Sequence, residues 1–421
     1  MQPPPNHRGR QTMSDVHVQP GSEQVWMVHS AIADTTATPA VTTAHFGVYL
    51  PDANEFLDVL DTTGTLGKKI LFPSRDRVLY VTGRGTSQDV FVAVDTVARR
   101  PLIQHSYPGN RSAFQLSPSG HLVVSANQTD SRLHLLDTTS LVERPMPGVS
   151  DSGALWASGA DVLYVFEPLD TSTQVLRFDL RTVDLGQPLA PPTVVATIDG
   201  YGLLPVLSPG DRVAALTVIS NASELQAAMV DLTTGASHLV ASASAADITA
   251  DGRVTVWQSG TDHTYDLHLV DPATGDVGPA VVTGWRSAGS FTLRHHDVVI
   301  IAPPSRDQQG LLYNLTDGTQ TPTDGVGSAS SLFERPGHTD VWTWDERAAM
   351  LRRLDLATGG MRVMLSGADS VDYRPVADDI VVGTFEHSVF RLSMATGDVI
   401  GHPLVLADPN DTAAPYKLAG N

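Results

Sequence analysis

The residues able to bind metal, move protons or attack an electrophile are here almost all histidines and carboxylates. The chain carries 15 histidines and no cysteine, which removes thiol nucleophiles, disulfides, Cys-ligated zinc and covalently attached c-type haem together. Its densest ligand string is His295-His296-Asp297. Adjacent side chains on a turn or strand diverge, so such a triplet does not readily close on one ion. His263 and His268 stand five apart beside Asp262, and an odd spacing along a strand sends two rings to opposite faces. His338, and His387 beside Glu386, read as loop residues rather than proton-transfer groups. No Gly-x-Ser-x-Gly elbow, Walker A lysine or Asp-x-Asp-x-Asp-Gly calcium loop occurs. Gly83-Arg84-Gly85 lacks a third glycine and opens no helical pattern. The expectation is therefore no resident metal and no cofactor.

Charge narrows the partners. Asp and Glu total 46 against 27 Lys and Arg, a net charge of −19. Such a field repels phosphate backbones and attracts cationic surfaces, so a basic protein or peptide is expected as partner and nucleic acid is not. No segment has the apolar length of a membrane span. The polar, proline-rich opening from Met1 to Asp15 has no apolar core of signal-peptide type. The compartment stays open between cytoplasm and, if a leader has been removed, periplasm or exterior.

What would position any of these groups is a repeat. A hydrophobic-Asp-x-x-Thr-Gly string or a relative of it recurs at Asp61, Asp95, Asp137, Asp179, Asp231, Asp271, Asn314, Asp355 and Ser393. The steps are 34, 42, 42, 52, 40, 43, 41 and 38 residues, averaging about 41, in the range of four-stranded propeller blades. Each Asp is suited to bond backbone N–H groups two residues on, and each Gly to take a left-handed conformation, so the string reads as scaffolding. A second turn, Ser117-Pro118-Ser119-Gly120 or Ser208-Pro209-Gly210-Asp211, separates β-branched and aromatic runs ahead of most markers.

The third unit parses as strands over Ala113–Leu116, His121–Ser125, Arg132–Leu136 and Leu141–Arg144. The fold expected is all-β: a single β-propeller of four-stranded blades with nine repeat units, or eight blades with an irregular N-terminal segment. That segment offers strands at Val16–Val18, Val25–Val28, Phe46–Leu50 and Phe56–Leu60, with a Thr/Ala-rich insertion between Ser30 and Ala44. Residues 1–14 read as a flexible leader, 15–408 as the propeller and 409–421 as a tail.

Leu79-Tyr80-Val81-Thr82-Gly83, the run Val90–Asp95 and Phe114–Gly120 together resemble bacterial YVTN-type propeller repeats. Leu207-Ser208-Pro209-Gly210-Asp211 leading to Val230-Asp231-Leu232-Thr233-Thr234-Gly235 is similar to TolB-type, WD40-like repeats. The similarity covers nearly the whole chain from about residue 14. It departs from both patterns in having Tyr-Val-Thr once, and one Trp-Asp pair, Trp344-Asp345, that follows Gly337-His338 too closely to frame a blade. The resemblance implies a propeller and leaves activity open, because these families include scaffolds, lactonases and dehydrogenase subunits.

On propellers resembling this one, binding residues cluster around the channel, on the face carrying the loops between second and third strands and those between blades. Inter-blade loops here place Tyr107, Arg111, Asp199, Tyr201, Trp285, Arg286, Asp369 and Asp372 on that face as the expected ligand- or partner-binding residues. The function expected is a non-enzymatic protein-binding or scaffold module. The alternative is a small-molecule enzyme of lactonase or sugar-processing type, with carboxylates such as Glu167 and Asp262 at the channel mouth.

Overall fold

The computed structural model describes residues 12–19, 24–34, 41–50, 55–63, 66–84, 88–150, 153–286, 289–293, 296–303, 309–323, 330–335, 337–345, 350–366, 368–374, 379–384 and 388–405. Among them every regular element is a β-strand, and the 36 strands form nine antiparallel sheets of four consecutive strands each. The chain is a nine-bladed β-propeller. Blades 1 to 9 span Thr12–Thr63, Leu66–Pro108, Arg111–Ser150, Gly153–Asp199, Tyr201–Ala241, Ala243–Trp285, Ser290–Thr323, Ser330–Ser366 and Ala368–Val405.

Within a blade, burial follows strand order. Second strands are near-continuous apolar runs because neighbouring blades cover both faces: Leu122–Asn127 is buried throughout, and Val213–Ile219 is buried to its penultimate residue. The fourth strand is the rim, and Arg100–Pro108 is exposed along almost all its length. First strands are innermost. Those of blades 1 and 2, 2 and 3, 4 and 5, 5 and 6, and 6 and 7 pack against each other, and that of blade 1 also packs against the first two strands of blade 9. Each sheet uses four consecutive strands, so among the described residues the ring closes by the packing of blade 1 on blade 9, with no interlocked strand.

Six first strands carry a β-bulge, at Ser14, Lys68, Ala113–Phe114, Leu204–Pro205, Ala246 and Asp369. A bulge adds twist and re-aims side chains, which a strand crowded against an axis requires. Ala113 and Leu204 hold φ of +51° and +50° there.

The repeated turns work as their composition implies. Asp137 Oδ1 accepts the backbone N–H groups of Thr139 and Ser140 at 2.9 and 2.7 Å, and Asp231 and Asp355 do the same for the residues two and three on. Gly235 and Gly359 follow at φ of +76° and +71°. Turns between first and second strands also stitch blades together. Ser119 donates through N and Oγ to Asp161, and Ser158 donates the same way to Asp211. Blade 8 holds blade 9 through an ion cluster on the buried Asp340, which buried Arg335 and half-buried Arg353 both reach at 3.0 Å while donating to Met394 O and Ala395 O.

Three sequence readings change. Asp61 lies inside the fourth strand of blade 1, Glu55–Thr63, opposite His45. It is not a turn residue, which accounts for the short 34-residue step. The described part of the Thr/Ala-rich insertion is strand, since Val25–Asp34 and Val41–Leu50 pair from Val25↔Tyr49 out to Asp34↔Val41. The 52-residue step reflects a long connection from Leu180 to Pro192 between the third and fourth strands of blade 4. The first strand of blade 1 starts at Thr12, within the segment read as leader, while residues 1–11 and 406–421 lie outside the described residues.

Candidate functional site

The eight expected binding residues fall at four separate blade junctions. Tyr107 and Arg111 flank the turn from blade 2 to blade 3, Asp199 and Tyr201 that from blade 4 to blade 5, and Trp285 and Arg286 the exit of blade 6. Asp369 and Asp372 lie on the first strand of blade 9, Ala368–Arg374, whose side chains are outside the described set. Trp285 is half-buried and its Nε1 donates to Ala302 O at 2.8 Å, which ties blade 6 to blade 7. Arg286 is exposed.

At the blade 2–3 junction the chemistry is turned inward. Arg111 is 3% exposed. Its Nε and Nη2 donate to the two Glu143 carboxylate oxygens at 2.6 and 2.8 Å, and its Nη1 donates to Pro108 O at 3.2 Å and to Asp89 Oδ2 at 3.5 Å. The same Asp89 oxygen accepts the Arg111 backbone N–H at 2.6 Å. The guanidinium sits over the rings of Tyr107 and Phe91, with centroids 5.5 and 6.0 Å away. Tyr107 donates its hydroxyl proton to Leu141 O. Burial, followed by the Glu143 charge, pushes its pKa above the ordinary tyrosine value. His134 lies 2.8 Å through Nε2 from Asp130 and 3.1 Å through Nδ1 from Glu143. Burial alone would lower its pKa, but the two carboxylates outweigh that and raise it. Arg111 is therefore a buried brace between two carboxylates, and the surface-anchor expectation does not hold for it: a desolvated bidentate pair this well matched has no free donor face to offer. An open cavity of about 520 Å³, lined in part by Asp130, Arg132, Pro145 and Ser150, adjoins this network.

At the blade 4–5 junction the same kind of turn faces outward. Tyr201 is 49% exposed and Asp199 is exposed. Thr173, fully buried, donates its hydroxyl to Gly200 O at 2.8 Å and accepts the Gly202 N–H at 2.6 Å, which fixes the turn without a charge. Thr171 O accepts from the Gly200 N–H at 2.8 Å and from Asn221 Nδ2 at 3.5 Å. Three loops are thus tied into one surface: the second-to-third-strand loops of blades 4 and 5 and the junction between them. On it Leu169 is 44% and Leu225 43% exposed, beside the exposed carboxylates Asp170, Asp199 and Glu224. No lysine or arginine occurs in these loops. Three residues into the inner strand, Leu204 is 79% exposed at its bulge. Sequence reading found Asp199 and Tyr201 here but did not single out Leu169, Leu204, Glu224 and Leu225. Their signal is the pairing of a leucine with an acid in equivalent loops, Leu169-Asp170 and Glu224-Leu225.

The other candidates disperse. His268 Nδ1 bonds Gly278 O at 2.9 Å, while Asp262 and His263 are exposed in left-handed conformations. Asp297 accepts from Thr316 Oγ1 at 3.4 Å. His295, Glu386 and His387 lie outside the described residues. Glu167 Oε2 accepts from both N and Oγ of Ser150 at 2.9 and 3.1 Å, one blade junction from Tyr201 and two blades from Asp262. No group of three or more potential ligands converges among the described residues, and no described helix is long and apolar enough to cross a membrane.

No known protein family and no curated protein sequence matches the chain. Solved structures do. A eukaryotic initiation factor aligns with a TM-score of 0.56 at 12% identity, over 85% of this chain and 94% of that one. Dihydro-heme d1 dehydrogenase NirN, in complex with DHE, aligns at 0.50 and 14% identity, over 78% and 73%. Chaetomium thermophilum Sqt1, bound to the N-terminus of ribosomal protein L10, aligns at 0.45 and 12%, over 73% and 91%. The first two likenesses agree with the nine four-stranded sheets on the fold.

Proposed function

We propose that this propeller is a non-enzymatic binding module that takes a basic protein or peptide on its loop face, at the junction of blades 4 and 5. One observation carries the reading: Leu169, Tyr201 and Leu225 stand exposed among Asp170, Asp199 and Glu224 on three loops tied by the Thr171 carbonyl. Exposed large apolar side chains grouped on a rigid surface and rimmed by one sign of charge suit an amphipathic cationic partner. An aromatic at the centre of such a patch is a natural anchor. The net charge of −19 adds long-range attraction for that partner and repulsion for nucleic acid. The repeat wording supports placing the chain among bacterial YVTN-like and TolB-like propellers.

The test is a fluorescence-anisotropy titration with a labelled decapeptide of alternating lysine and valine, run beside its glutamate-for-lysine counterpart. The basic peptide should bind, the acidic one should not, and Tyr201→Ala with Leu225→Ala should weaken binding at least about tenfold. Equal binding by wild type and double variant would overturn the assignment of this surface.

A further inference from the structure

The rim of a propeller is a row of unpaired sheet edges, and edges that must stay free of partners are protected by proline or charge. Seven of the nine fourth strands carry a proline or a charged residue in their interior. Glu55–Thr63 holds Asp58 and Asp61, Arg100–Pro108 holds Pro101, and Glu143–Ser150 holds Pro145 and Pro147. Val277–Trp285, Gln320–Thr323 and Val399–Val405 hold Pro279, Pro322 and Pro403, and Met361–Ser366 holds Arg362. The two exceptions are Thr193–Asp199 of blade 4, whose one charge is its terminal Asp199, and Ser237–Ala241 of blade 5, the two blades that build the exposed patch.

These exceptions differ in what remains open. The turn of the next blade covers the start of each: Gly235 comes so close to Val195 that a Cβ on it would lie 2.3 Å from the Val195 oxygen, and a Cβ on Gly275 would lie 3.0 Å from the His238 Cβ. Beyond that cover, Ala196-Thr197-Ile198-Asp199 leaves a four-residue edge in regular register with Val175-Gln174-Thr173-Ser172. Ala196 and Ile198 are buried, whereas Thr197 and Asp199 are exposed. Asp199 leads directly through Gly200 into Tyr201, so the open edge is continuous with the apolar and acidic surface.

We infer that the outer strand of blade 4 is a strand-addition edge: an extended basic segment pairs its backbone with Ala196–Asp199 while its side chains reach Tyr201, Leu169 and the carboxylates. This rests on the binding surface proposed above and specifies how its partner is held. Main-chain hydrogen bonds supply the affinity in this mode, and alternate side chains supply the selectivity. The occupant is cationic because the only charges at this end of the strand and in the adjoining loops are Asp170, Asp199 and Glu224.

Backbone N-methylation of the lysine–valine probe tests the inference without altering the protein. In an added strand alternate N–H groups point to the edge, so methylating one alternate set should weaken binding at least about tenfold, and methylating the other less than about twofold. Hydrogen exchange should also show new protection at Ala196–Asp199 when the unmethylated probe binds. If both methylated probes bind like the parent, or protection falls only on the Leu169 and Leu225 loops, strand addition is overturned while the surface reading stands. If the parent probe binds wild type and the Tyr201→Ala/Leu225→Ala variant equally, the surface reading fails instead. Self-association that Thr197→Lys abolishes, with no probe bound, would give the edge to a second copy of the chain and overturn the peptide as occupant.

Discussion

The junctions of blades 2 with 3 and of blades 4 with 5 make the same turn and use it oppositely. In each, a glycine at positive φ lies in the turn, Gly109 at +122° two residues before Arg111 or Gly200 at +104° directly before Tyr201, and the incoming residue pairs with the end of the following second strand: Arg111 with Asn127, Tyr201 with Ile219. The preceding blade's third strand offers Asp89 in one case and Thr173 in the other to hold the incoming backbone. A buried carboxylate requires a cation, so Arg111 is drawn in, Glu143 completes the pair, and Tyr107 closes over it. A buried hydroxyl is satisfied by two backbone groups and requires nothing more, so the aromatic and the acids of the second junction remain outside. One repeat position is thus sealed or left exposed according to whether its neighbour buries a charge.

The largest expected contrast is in stability. Arg111→Ala leaves Asp89 and Glu143 without their cation and should cost about 3–5 kcal/mol, whereas Tyr201→Ala should cost less than about 1 kcal/mol. Chemical denaturation of both variants measures the difference, and similar costs would erase the distinction. Next comes the turn itself. A Cβ at position 200 would meet the Ile219 carbonyl oxygen at 2.5 Å, while one at position 109 would meet the Asn127 amide side chain at 2.6 Å. A backbone oxygen cannot rotate away and a side chain can, so Gly200→Ala should destabilise by about 1–3 kcal/mol, and by more than Gly109→Ala does.

Binding should separate the junctions in the reverse sense. Tyr201→Ala should weaken the basic probe about tenfold and Tyr107→Phe should leave it unchanged, and affinity should fall as salt rises from about 0.05 to 0.5 M. Anisotropy titrations check all three. The smallest effect is in pH. Folding raises the His134 pKa above the ordinary 6.5, so its contribution is complete below that value and is lost as pH climbs through the folded value. Wild type should lose a little stability between pH 6 and 8 that His134→Gln does not lose, as read from denaturation midpoints.

The fold was legible because Asp-x-x-Thr-Gly turns and paired apolar runs are local, and each marker reports its own hydrogen bonds. Asp61 misleads because a string resembling the marker also fits inside a strand, where pairing with His45 decides the matter. The position of Arg111 was legible but its role was not, since Asp89 and Glu143 lie 22 and 32 residues away, the first across the boundary to blade 2 and the second in the fourth strand of blade 3, and only the folded chain brings them within reach. Tyr201 could be chosen as a loop aromatic. Leu169 and Leu225 could not be joined to it without the carbonyl of Thr171, which unites three loops spread over more than 50 residues.

The most direct test replaces either tyrosine with the photocrosslinker p-benzoylphenylalanine and irradiates each protein, its fold checked by circular dichroism, with the labelled basic probe. Crosslinking from position 201 and none from position 107 is the expected result. Equal yields from both, or crosslinking from 107 alone, would contradict the division between a sealed and a presenting junction.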